Sequence, residues 1–584
     1  MTKRIFRKTA ALAALGLVAF VGPSILARAD EATGVTAMKL QDAQSDAGSW
    51  LWYGRDLGAN RYSPLSAIDP TTVSQLSLAW KKTLGPAVSM EATPIVADGV
   101  MYVSTGNSTI WAMDAVTGAK KWSYVYPLPI ESLPEACCDT DNRGVTLTGN
   151  KVIFGTLDAH LVALDARTGK VLWNTAVARS GDGYAITSPP LPVKNLVLTG
   201  IAGGEYATRG FIAAYDSSTG KQIWRHYTVP AKGDPGYSSW NVRGVAERGG
   251  VPTRLPGTYD AKLDTVYWGT GNPNPDFDAN SLSGSLLYSS SVLALDPATG
   301  KQKWYYQFTP HDIWDFDAVS EPILVDVPID GKIVRALAHA DRNGYLYLLD
   351  RVSGKLVYAV PFLDKINWGS VSRSGVLTLN AAMQKASLAR KPFTVFPAVI
   401  GGKNWEPAAY DPEKHLLFIP ALETSIQLLP SATSDAHPKK GALNFGAGFA
   451  KPVLAGSVVA IDLTTGKQAW KRPFKSAMTD GALVTAGGLV FIGTPEGRLL
   501  AMDEATGKTV WSAKTASGIN ASPITYEIGG KQYVSVVSGS GGVVVKYFIG
   551  AAPQLHNVPK GSLVYTWVLN GKSVSVAPAE KSPK

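Results

Sequence analysis

Ala163-Leu164-Asp165-Ala166-Arg167-Thr168-Gly169-Lys170-Val171-Leu172-Trp173 holds the pattern on which the 584-residue chain is built. Leu161 and Val162 lead in as an apolar strand. Asp165 can accept the amides of a tight turn, Gly169 supplies a left-handed residue, and Trp173 opens the returning strand. The spacing recurs from Ala112 to Trp122, Ala214 to Trp224, Ala294 to Trp304, Ala460 to Trp470 and Ala501 to Trp511. A degenerate copy carries Asp350, Gly354, Lys355 and Tyr358. Where no insertion intervenes the period is about 40–55 residues, in the range of propellers and solenoids. A four-stranded unit cannot bury both faces alone; radial stacking does so and protects the edges. The repeated Trp reads as packing between neighbouring units.

A worn copy runs from Ala67-Ile68-Asp69 to Ala79-Trp80. Near the other end, Tyr533–Val537 and Val543–Val545 look strand-like. A unit built from both termini would close a ring. The expectation is an all-β, eight-bladed β-propeller over residues 46–570, with a polar tail over 571–584. The counts of Gly (58), Trp (16) and Tyr (23) favour β over helix.

Lys3, Arg4, Arg7 and Lys8 precede a short apolar run ending in Ala27-Arg28-Ala29. This pattern predicts a cleaved signal peptide over 1–29, a linker over 30–45, and export to the periplasm with no later membrane-spanning segment. The formal charge of +10 falls to about +5 once the five basic residues of 1–29 are removed. That charge is not gathered in runs, and no nucleic-acid footprint is read in it.

Both cysteines of the chain adjoin in Glu135-Ala136-Cys137-Cys138-Asp139-Thr140-Asp141-Asn142-Arg143-Gly144. Two readings stand: reduced neighbouring thiols, or a strained ring closed between them, which an oxidising compartment would preserve. Gly203-Gly204-Glu205 follows the strand Leu196–Leu198 without a helix behind it, so it is no nucleotide fingerprint. Its glycines permit close approach to something flat, or are a plain turn. Gly269–Asp276 offers amide and carboxylate oxygens that suit a hard cation or cap a turn. In His311-Asp312-Ile313-Trp314-Asp315-Phe316-Asp317, Asp315 and Asp317 would share a direction on an extended segment and repel unless a cation or proton intervenes. They are otherwise solvated loop charges. Arg342 is a fixed cation for an anion, or a surface ion pair.

Taken together, these motifs resemble the pyrroloquinoline-quinone (PQQ)-dependent alcohol dehydrogenases, the methanol/ethanol dehydrogenase family, over about residues 46–570. The resemblance implies PQQ with one Ca2+ or lanthanide ion, an alcohol substrate, and a soluble cytochrome c as electron acceptor; a homodimer stays open. It implies a Cys137–Cys138 disulfide against the quinone. It implies cofactor contacts at Glu91, Arg143, Thr187, Gly203, Gly204, Arg342, Asn404 and Trp405. Metal ligands would be Glu205, Asn272, Asp315 and Asp317, with Asp315 the catalytic base and Arg342 stabilising developing negative charge. Asp317 is similar to the extra aspartate of the lanthanide-dependent branch. Where the family stacks a tryptophan on the quinone, this chain places Arg254, unless Trp240 fills that position. The sequence has no Cys-x-x-Cys-His for covalent haem. The reading of a different class is a non-catalytic propeller scaffold of the outer-membrane assembly type, which would need neither the cysteines nor the paired aspartates.

Overall fold

The computed structural model describes residues 34–129, 139–179, 181–240, 245–280, 283–431, 439 and 441–570. The expected signal peptide, Cys137, Cys138 with their proposed bond, and the tail 571–584 lie outside the described residues.

Eight sheets among the described residues have four or five strands; a two-stranded and a three-stranded sheet accompany them. The repeat explains how each forms. Asp165 Oδ1 accepts the Thr168 amide at 2.8 Å and its hydroxyl at 2.7 Å, while Gly169 sits at φ 73°. Each turn is followed by a bulge, so that the repeat's Ala faces its Trp across the hairpin: Ala163 opposite Trp173, Ala214 opposite Trp224, Ala460 opposite Trp470.

The Trp then leaves its own sheet. Trp122 Nε1 donates to Ala166 O at 2.9 Å, in the turn of the next sheet. Trp173 reaches Ser217 O at 3.2 Å, Trp224 reaches Pro297 O at 2.9 Å, and Trp470 reaches Glu504 O at 2.7 Å. In the degenerate copy Tyr358 takes over, its hydroxyl donating to Leu463 O at 2.7 Å. Trp80 starts the series on Ala115 O at 3.2 Å, and Trp511 packs edge-on against Trp567 at 6.0 Å. Thus the contacts return to the sheet they left. That sheet joins the two ends of the chain: Leu76–Thr83 pairs with Leu563–Leu569, which pairs with Lys531–Ser538.

Residues 543–545 are not a strand. They belong to a helix, Gly542–Tyr547. The apolar run was too short for periodicity to decide. Gly539, Gly541 and Gly542 turn the chain against the segment carrying Glu91: a Cβ on Gly541 would stand 2.7 Å from Ser89 Cβ, and one on Gly542 would stand 2.7 Å from Glu91 Oε1. The described end of the expected linker is also packed: Val35 bridges Gly149, and Leu40 of helix Ala37–Gln41 is buried.

Candidate active site

In an antiparallel meander, the entry to the first strand and the link from the second to the third lie at one end of the sheet. Arg143 precedes the first strand Thr146–Thr148, Arg254 precedes Thr258–Asp260, and Trp405 precedes Ala409–Asp411. Glu205 and Arg342 sit in second-to-third links, after Leu196–Thr199 and Lys332–Ala340. The Thr-Gly turns occupy the opposite end. Topology alone therefore gathers the sequence candidates at one end.

They surround a cavity of about 470 Å³. Glu91, Arg143, Thr187, Gly203, Glu205, Arg254, Asp315, Arg342, Asn404 and Trp405 line it. Gly204, Asn272 and Asp317 do not; Gly204 instead allows Pro252 to pack close, since a Cβ there would meet Pro252 Cδ at 2.7 Å. Trp240 is not in the wall. It packs with Val229, Val251 and Leu286.

Three guanidiniums organise the polar wall. Arg143 pairs with Glu91 at 2.7 Å and Asp141 at 3.2 Å, and lies over the Trp405 ring at 5.0 Å. Arg254 pairs with Asp317 at 2.7 Å and donates to Asn404 Oδ1 at 3.1 Å. Arg342 donates to both the main-chain oxygen of Asp315, at 2.7 Å, and its carboxylate, and lies 3.1 Å from Asp317. The segment is not extended as expected. Asp315 sits at φ 62°, a left-handed conformation costly for a side-chain-bearing residue and often found at functional sites. Asp312, which the sequence reading did not assign, holds it there by accepting the Trp314 amide at 2.9 Å and the Phe316 amide at 2.7 Å.

Electrostatics separate the two aspartates. Burial raises Asp315, with Asp317 and Glu205 adding, against the pull of Arg342. Asp317 is equally buried, but Arg342, Arg254 and the Asn272 amide together hold it below the usual range. Burial raises Glu91, Asp141 and Glu205 as well. Carboxylates outnumber guanidiniums here, so protons or a cation must make up the difference.

Three unpartnered polar atoms fit the implied groups. Arg143 Nε and Arg342 Nε are buried without a hydrogen-bond partner, available to an anionic flat molecule. Asn272 Oδ1 is likewise unpartnered, an acceptor suited to a hard cation. Among the described residues, however, no three acidic, histidine or cysteine side chains stand close enough together to hold a metal ion; the arginines occupy Asp315 and Asp317 instead. The other half of the cavity is apolar: Phe277, Ile426, Phe445, Phe449, Tyr547 and Phe548 line it. Sequence reasoning missed these, because a Phe in an insertion looks the same whether it packs in a core or lines a mouth.

A wheel of tryptophan-docked sheets with an acidic, arginine-braced cavity at one end is the architecture of a β-propeller that binds a small molecule at one face. The family described as glucose/ethanol/alcohol dehydrogenase, beta-propeller domain, matches residues 50–362 and 456–534. The quinoprotein alcohol dehydrogenase PedH of Pseudomonas putida is 39% identical over 88% of this chain and 90% of its own length. A quinohemoprotein alcohol dehydrogenase of Comamonas testosteroni is 38% identical, over 90% of this chain and 76% of its length. Among solved structures, a europium-containing methanol dehydrogenase superposes with a TM-score of 0.85 at 32% identity, covering 91% of this chain and 100% of that one. This chain belongs to the PQQ-dependent alcohol dehydrogenases.

Proposed function

We propose that this protein oxidises alcohols to aldehydes in the periplasm, using PQQ and one Ca2+ or lanthanide ion, and passes electrons to a soluble cytochrome c. The observation that carries the reading is Asp315, held in a left-handed backbone by Asp312 and paired with Arg342 on the cavity wall. When bound, the quinone supplies the two-electron acceptor and the cation supplies Lewis-acid polarisation. Asp315 takes the alcohol proton on its carboxylate, and its raised pKa suits a base. Arg342 orients that carboxylate and steadies negative charge on the substrate oxygen. Arg143 and Arg254, on the cavity wall, would pair with acidic groups of the bound cofactor. Glu205, Asn272, Asp315 and Asp317 would supply the hard oxygen donors to the cation, and the carboxylate of Asp317 supports a lanthanide over calcium. The apolar half keeps water from the reacting atoms.

The charged leader supports export, and no helix among the described residues is long and apolar enough to cross a membrane. A homodimer is compatible with this reading. The test is to supply the purified protein with PQQ and either Ca2+ or a light lanthanide, and to follow dye reduction by alcohols. Asp315→Asn should lower kcat by about 10²–10⁴ while quinone absorbance is retained. Full turnover in that variant would remove Asp315 as the base.

A further inference from the structure

Loop 270–278 leaves the strand Thr265–Gly269 and carries a buried acid into the field of Asp315, Glu205 and Asp317. Asp276 is 0% exposed. Among the described residues it is the carboxylate of which both buried oxygens lack a hydrogen-bond partner. Its neighbours show how unusual that is. Two residues on, Asp278 is also buried but has Arg390 at 3.9 Å and the Asn280 amide at 2.9 Å. Asp312 is buried and accepts two amides and the Ser290 hydroxyl.

Asp276 is not stranded on a loose loop. On one side the Asn274 amide donates to Gly249 O at 3.0 Å, and on the other the Phe277 amide donates to Phe445 O at 2.9 Å. The same strap ties in the Glu205 turn, through the Asn444 amide to Glu205 O at 2.9 Å. The charged groups acting on Asp276 are Asp315, Glu205 and Asp317, all anions. Beside it Asn272 Oδ1 is also unpartnered. Two donorless oxygen groups, buried on one pinned loop among anions, are stabilised by a hard cation more than by any group the chain provides.

We propose that Asp276 is a further protein donor to the active-site cation, beside the Asn272 amide oxygen, and that its charge favours a trivalent ion. This rests on the proposed metal-dependent reading of the cavity. The additional formal charge raises affinity for a trivalent ion more than for a divalent one, because the Coulomb energy scales with the product of charges.

The experiment titrates the full-length, cofactor-free protein with terbium chloride alone, then with terbium against calcium chloride, following sensitised luminescence and its lifetime in H2O and D2O. Asp276→Ala should weaken terbium binding about tenfold or more. It should weaken calcium binding less, and shorten the lifetime as water replaces the lost oxygen. Asp276→Asn keeps the shape and carries the same test should the alanine variant not fold. Glu205→Gln is the control for the site itself. If Glu205→Gln abolishes binding while both Asp276 variants keep wild-type affinity and lifetime, Asp276 is not a ligand and the metal reading survives without it. If the wild-type protein binds neither ion, even with PQQ supplied, the metal reading and this assignment fall together.

Discussion

One residue type does opposite work in this chain according to what surrounds it. Asp165 and Asp296 cap turns near water, and the Thr hydroxyls that bond them, Thr168 and Thr299, hold their pKa below the usual range. Asp141, Asp276 and Asp315 are buried and move the other way. Glu406 gives a measurable case. It lies next to Trp405, accepts the Asn404 amide at 3.0 Å, and burial lifts its pKa from 4.5 to about 7, with Lys403 opposing. A carboxyl whose pKa is raised on folding favours the native state when protonated. Its contribution is whole below pH 4.5 and is lost as the pH climbs through about 7. In the cofactor-free protein, Glu406→Gln should flatten the decline in stability across that window, by up to about 3 kcal/mol. Parallel melting curves for the two proteins from pH 4.5 to 8 would remove Glu406 as a source of that decline.

At the scale of an element, the repeat is a lock with matched halves. The bulge sets a small Ala opposite the Trp, which leaves the ring free to cross to the next turn. There a glycine is required on two counts. Gly300 has φ 71°, and a Cβ on it would stand 2.5 Å from Trp224 Cε3. Gly300→Ala should therefore cost about 1–3 kcal/mol from crowding and backbone strain. Trp224→Ala should cost about 3–5 kcal/mol from the lost ring. Because both act on one contact, the double variant should lose less than the two together. Urea midpoints measure all three, and simple additivity would show that the glycine and the ring do not meet in solution. The helix Gly542–Tyr547 teaches the reverse lesson. Three consecutive valines favour a strand locally, yet Val544 is buried as a helical residue among the apolar groups at the cavity mouth.

The whole molecule depends on its closure. Seven positions pair Leu76–Thr83 with Leu563–Leu569, residues almost 500 apart in the chain. Removing residues 563–570 would expose the edges of Leu76–Thr83 and Lys531–Ser538 together. Such a protein should aggregate and lose its single cooperative melting transition, followed by calorimetry and light scattering. A sharp transition at the full-length temperature would mean that the ring does not need this strand.

Much of this was legible in order along the chain. The turn chemistry, the Trp spacing and the acidic and glycine loops are local, and local patterns survive without knowing the fold. So the all-β class, the propeller and the loops carrying Glu205, Asp315 and Arg342 could be read from the residues, whereas Glu91, Arg143, Thr187 and Asn404 came only with the family resemblance. What the sequence could not express is burial and partnership. Asp276 and Asp278 look alike two positions apart; only the packed structure gives an arginine to one and none to the other. Arg254 is expected to stack on the quinone; only the fold shows that, on the cavity wall, it also pairs with Asp317. Spacing is a property of the chain, whereas the charge state of a buried acid depends on groups brought to it from other sheets, and only tertiary structure decides which they are.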